Sequence, residues 1–204
     1  MSWWRNLDRP LILASQSARR KELLERMGLT FTVVPPNIDS EEEWLQEGDL
    51  PASIERLAMA KASVAAAGRD AALVLAADTI VVCDNVLLGK PRDDADAVGM
   101  LARLSGRAHR VYTGVALTCR QEGFSACATA VTIVRFRTIG RDDINAYLSA
   151  GEHRDKAGAY GIQGAAMVFV ESIDGCYYNV VGLPVSAVID LLDQYVNRKD
   201  RGNA

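Results

Sequence analysis

Three features of the sequence predict an α/β fold, a mixed twisted sheet flanked by helices. A short apolar run, "LILA" at Leu11 to Ala14, leads through a serine-bearing loop into a helical pattern with Leu23, Leu24 and Met27 on one face and Gly28 as its stop. Two long β-rich runs, "RVYTGVALTC" and "SACATAVTIVRF", are joined through "RQEG". Helical stretches lie between the strand blocks, and crossover helices combined with hairpins argue for a mixed rather than a purely parallel sheet.

The elements follow in order. Ser15 to Ser17 form a loop with a serine available to cap a helix over Ala18 to Met27. "TFTVVPP" gives a second strand closed by Pro35 and Pro36, and the acidic "NIDSEEEWLQEGD" reads as an exposed loop with room for one helical turn. Pro51 to Ala67 is a helix with Pro51 in its first turn and Ile54, Leu57, Ala58, Ala62 and Ala65 as its apolar stripe. "ALVLAADTIVVC" has the look of a central strand, returning through Asp84-Asn85 to Val86 to Leu88. A helix in "RDDADAVGMLARLSG" precedes the two long strands. After them come a helix over Asp142 to Ser149, the glycine-rich "KAGAYGIQG", a hairpin in "MVFVESIDGCYYNVV" turning at Asp174-Gly175, and a last helix from Val185 to about Val196.

Composition narrows the function classes. With 204 residues, 49% hydrophobic and 24% charged, the chain can bury a sizeable core and reads as one domain, with two lobes compatible with its length. A net charge of -3 leaves no electrostatic footprint for nucleic acid or an acidic membrane surface, and no segment is long and apolar enough to span a bilayer. Cys83, Cys119, Cys127 and Cys176 match neither a zinc spacing nor a CxxC motif, so they read as reduced packing residues of a cytoplasmic protein.

Four charged features break local rules. Arg19 and Arg20 stand in the first turn of a helix, where the dipole favours anions; either they point into water or an anion joins them. Asp78 lies inside an apolar strand, where a carboxylate is costly without a cation, a metal or N–H donors. Lys61 falls on the apolar stripe of its helix, either snorkelling to its edge or ending in a cleft. Lys90 sits in a loop, in "LLGKPRDD". Gln163, in the glycine-rich loop, carries both the donor and the acceptor that reading a base edge requires, although a solvated glutamine has the same sequence appearance. Several cations with at least one carboxylate suit a polyanion, such as a triphosphate bound through a divalent ion.

At these residues the sequence resembles the Maf family of nucleoside triphosphate pyrophosphatases, also described as septum formation inhibitors. The blocks that carry the likeness are "LASQSARRKELL", "ERLAMAKA", "LAADTIVV", "GKPRDDADAVGMLARLSGRAHRVYTGVAL", "DKAGAYGIQG" and "YYNVVGLPV", in order over about Leu11 to Val196 of a single 1–204 domain. The resemblance implies two lobes with a cleft, similar to inosine triphosphate pyrophosphatases, and hydrolysis of a nucleoside triphosphate to the monophosphate and pyrophosphate with Mg²⁺ or Mn²⁺. By the same likeness Asp78, Lys61 and Lys90 are catalytic, and Ser15, Arg19, Arg20, Thr79 and Gln163 bind substrate. Asp39 and Asp78 hold the metal. The pairing of "ADTIV" with "GIQG" points to the branch acting on dTTP and UTP; the alternatives are the same reaction on 7-methyl-GTP or a nucleotide-sensing regulator of cell division. The chain departs from the family pattern at Gln16 and Ala18, where glycine and proline are usual, and at Ser40, where a second acidic residue is usual. Oligomeric state stays open, with a homodimer among the options.

Overall fold

The computed structural model describes residues 4, 7–38, 41–45 and 48–202. Its elements are β1 (Leu11–Ala14), α1 (Ala18–Arg26), β2 (Phe31–Val33), α2 (Leu50–Ala65), β3 (Leu73–Cys83), β4 (Val86–Leu88), α3 (Asp94–Leu104), β5 (Ala108–Cys119), β6 (Phe124–Phe136), α4 (Arg141–Ser149), β7 (Val170–Asp174), α5 (Tyr177–Val181) and α6 (Val185–Gly202). Seven strands form one sheet in the order β2-β1-β3-β5-β6-β7, with β4 paired to β3. Strand β1 runs parallel to both β2 and β3, placing Leu11 opposite Phe31 and Leu73, whereas β3/β4 and β6/β7 are antiparallel. The sheet is therefore mixed, as the alternation of crossover helices and hairpins predicts.

Local chemistry explains the element ends. Ser17 caps α1 by accepting the Arg20 N–H, and Asp93 caps α3 by accepting the Asp96 N–H at 2.7 Å. Asp94 and Asp96 then complement the α3 dipole, and hydrogen bonds from Arg92 hold the Asp96 carboxyl below the usual range. The β3–β4 connection is a two-residue turn in which Asp84 and Asn85 both take positive φ, 50° and 61°, the backbone that a tight hairpin needs.

The chain packs as two compact units. One comprises Met1–Asp78, Thr113–Ala130 and Gly182–Ala204; the other comprises Thr79–Tyr112 and Val131–Val181. In the first, Ile12, Ala14, Ala58, Ala62, Val74, Ala76 and Ala116 form a core of small side chains between α2 and the sheet. Small residues let the helix lie close. A Cβ added to Gly114 of β5 would meet the carbonyl oxygen of Ile54 at 2.4 Å, so glycine is required there. The second unit is built on aromatic edge-to-face packing, with Phe136 4.9 Å from both His109 and Tyr160 and Tyr147 5.4 Å from Phe169.

One expectation fails. The stretch "MVFVESIDGCYYNVV" is not a hairpin: Ala165–Phe169 is a 3₁₀ segment, β7 pairs with β6 instead, and the chain after Gly175 becomes the short helix α5. Tertiary hydrogen bonds override the turn signal. Thr132 Oγ1 accepts the Cys176 N–H at 3.1 Å, and the buried Asn179 donates to the Val111 carbonyl and to Thr132 Oγ1, both at 3.0 Å. A returning strand would leave that amide without these partners.

Among the described residues, no helix is long and apolar enough to cross a membrane. All four cysteines are free.

Candidate active site

The arginine pair opens α1, directly after a loop organised by serines. Ser15, 6% exposed, accepts the Ser17 N–H and an Arg20 guanidinium N–H, both at 3.2 Å. The Arg20 Nε–H donates to the Gly182 carbonyl at 2.8 Å. Arg20 thus ties the loop before α1 to the segment before α6, while Arg19 is half-buried in the same first turn. That turn contains no acidic residue, so the dipole and both guanidinium groups present positive charge together.

The close seat of α2 on the sheet directs Lys61. Its neighbours Ala58 and Ala62 are fully buried, and Lys61 itself is only 5% exposed, which rules out a snorkelling ammonium. Its ammonium meets Oδ1 of Asp78 on β3, with side chains 7% and 15% exposed. The pair answers the question each residue raises alone, since a cation meets the strand carboxylate and a carboxylate meets the lysine on the apolar face.

The second unit holds three more of the expected residues, Thr79, Lys90 and Gln163. Thr79, half-buried, is the chain neighbour of Asp78 on β3; Lys90 is exposed after β4, and Gln163 is exposed in the turn Gly161 to Gly164, which closes through a Gly164 N–H to Gly161 carbonyl bond of 3.0 Å. Within this unit the Gly158 N–H donates to the Gly89 carbonyl at 3.0 Å, which joins the glycine-rich loop to the segment bearing Lys90. Asp39 lies outside the described residues, as does Ser40. Gln16 and Ala18 are both exposed beside the arginine pair.

A family model described as Maf-like protein matches residues 10–195. The chain belongs to the Maf family. Relatives in the family cover nearly its whole length. A Moorella thermoacetica protein named dTTP/UTP pyrophosphatase is 52% identical over 182 residues, which span 89% of this chain and 93% of that protein. Proteins of the same name from Symbiobacterium thermophilum and Vibrio cholerae are 50% and 48% identical, covering 91% of this chain and 93% and 97% of theirs. Among solved structures, a HAM1 protein from Coxiella burnetii aligns with a TM-score of 0.42 at 17% identity, covering 78% of this chain and 91% of that one.

Among the described residues of this Maf chain, no three His, Cys, Asp or Glu side chains converge into a metal cage. The donors present still suit a hard divalent cation, because Mg²⁺ is commonly held by one or two carboxylates together with substrate phosphates. Asp78 is such a donor, mostly buried but not sealed.

Sequence reasoning missed three groups that brace the segments bearing the expected residues. The Gly182 carbonyl is a backbone acceptor, signalled only by its place in the block "YYNVVGLPV". Glu152 accepts the Ala165 N–H at 3.0 Å, and the Lys156 ammonium donates to the Glu152 carbonyl and to Asp155. Lys156 stands inside the quoted glycine-rich block, whereas Glu152 carries no local signal.

Proposed function

We propose that the protein is a cytoplasmic pyrophosphatase that hydrolyses dTTP and UTP to the nucleoside monophosphate and pyrophosphate. The relatives' shared name supports the substrate class, and the Lys61–Asp78 pair is the structural observation that carries the chemistry.

In this reading Asp78 takes a proton from the water that attacks the α-phosphorus, and the bond from that phosphorus to the bridging oxygen breaks to release pyrophosphate. Lys61 fixes the orientation of the carboxylate and balances its charge. Arg19 and Lys90 stabilise the negative charge that builds on the leaving group, and Ser15 and Arg20 hold the phosphate-binding loop in shape at the start of α1. Thr79 and Gln163 read the pyrimidine edge. A divalent cation, Mg²⁺ or Mn²⁺, held by Asp78 and Asp39, would supply Lewis-acid polarisation of the phosphate oxygens.

The test is pyrophosphate release from a panel of dTTP, UTP, 7-methyl-GTP and the common purine triphosphates, with and without divalent cation. Metal-dependent turnover highest on dTTP and UTP is expected. Preference for 7-methyl-GTP overturns the base assignment, and no turnover on any nucleotide overturns the enzyme.

A further inference from the structure

We propose that Glu152 and Lys156 are positioning residues that set base selectivity by clamping the turn that carries Gln163. The inference rests on the reading of Gln163 as a base reader and adds what holds it.

Gln163 occupies the third position of the turn Gly161-Ile162-Gln163-Gly164, with Ile162 buried inward at 7% exposure and Gln163 facing out. A glycine at each end leaves the backbone free to wander, yet a side chain that discriminates bases must be held to within about 0.5 Å. Both glycine corners are occupied by side chains from the preceding segment. At Gly161, an added Cβ would lie 2.6 Å from Cε of Lys156, so the lysine stem is packed against the bare α-carbon. At Gly164, an added Cβ would lie 1.8 Å from Oε2 of Glu152, whose carboxylate accepts the next N–H, that of Ala165, at 3.0 Å.

The two clamps are themselves tied. The Lys156 ammonium, on a side chain 15% exposed, donates to the backbone carbonyl of Glu152 and to the Asp155 carboxylate at 2.6 Å. Charge accounts for the choice of residues. A carboxylate is the strong acceptor that a loop N–H needs near solvent, and an ammonium can satisfy a carbonyl and a carboxylate at once. The glycines at 161 and 164 therefore make space for their clamps as well as for flexible backbone.

The test is the ratio of kcat/KM for dTTP to that for dGTP, measured as pyrophosphate release from single preparations of the whole chain. Glu152→Ala lowers the ratio about tenfold, the scale of the net worth of one hydrogen bond. Glu152→Gln keeps an acceptor oxygen and holds the ratio to within about threefold of the unaltered protein, because a neutral acceptor makes roughly half as strong a bond as a carboxylate. Lys156→Met and Gly164→Ala, which strike the clamp at its two other points, lower the ratio in the same direction. A variant that only folds less well loses both rates together and leaves the ratio unchanged, and that result overturns the clamp. If Gln163→Ala lowers the ratio while Glu152→Ala and Gly164→Ala do not, the clamp falls and the base reader stands. A ratio unmoved by Gln163→Ala removes both.

Discussion

Arg20 donates through Nε to the carbonyl of Gly182, a partner 162 residues further along the chain, while a second nitrogen of the same guanidinium reaches Ser15. The planar fork makes both bonds at once, which a lysine ammonium on its flexible stem cannot reproduce. Arg20→Lys keeps the charge and loses the brace, so KM for the triphosphate rises about tenfold with a smaller change in kcat. Ser15→Ala produces part of the same effect, and the double variant costs less than the sum of the two because both act on one loop. Steady-state pyrophosphate release checks this; an unchanged KM in Arg20→Lys would assign the residue no bracing role.

The Lys61–Asp78 pair separates stability from turnover. Removing one partner strands a mostly buried charge, so Lys61→Met destabilises by about 3 kcal/mol and lowers activity. Asp78→Asn keeps the shape and lowers turnover more than about a hundredfold, the scale of a lost general base. Replacing both, as Lys61→Met with Asp78→Leu, recovers stability but no activity. Urea denaturation beside the activity assay distinguishes these outcomes, and near-normal turnover in Asp78→Asn would sink the catalytic assignment.

His109 gives a pH dependence of fixed sign. Burial pushes its imidazole down to about 4, with Nε2 2.8 Å from the Tyr160 hydroxyl and Nδ1 without a partner among the described residues. The unfolded chain takes up the proton near pH 6.5 and the folded chain does not until about pH 4, so stability is full above 6.5 and falls as pH drops through that window. The loss from this one group amounts to about 3 kcal/mol. His109→Phe leaves the Tyr160 hydroxyl short of a partner and so starts less stable, but its stability curve is flatter between pH 6.5 and 4. Denaturation midpoints at several pH values read the slope, and an equally steep curve in the variant would assign the dependence elsewhere.

Much of the fold was legible because its punctuation is local. Pro51 marks the start of α2, Ser17 and Asp93 cap their helices, and Asp84-Asn85 are residue types that tolerate positive φ. The missed hairpin shows the limit, because what bends the chain into α5 is the reach of Asn179 to Val111 and Thr132, partners 68 and 47 residues away. The site divides in the same way. Lys61 and Asp78 stood out because each violates its own environment, but only the close approach of α2 to the sheet shows that each is the other's answer. Glu152 violated nothing. Its role depends on the absence of a side chain at Gly164, and a missing atom has no pattern in a sequence.

The two ends of the sheet have a bearing on how the chain behaves in a crowded solution. Strand β2 has only three residues and is soon followed by Pro35 and Pro36, which offer no N–H; β7 has five and exposes Glu171 and Asp174. Short edges carrying prolines and charges are poor templates for another chain's strand. A protein with long apolar strands at its centre therefore has little at either margin to start aggregation, and Glu171→Val or Asp174→Val would weaken that protection without touching the chemistry.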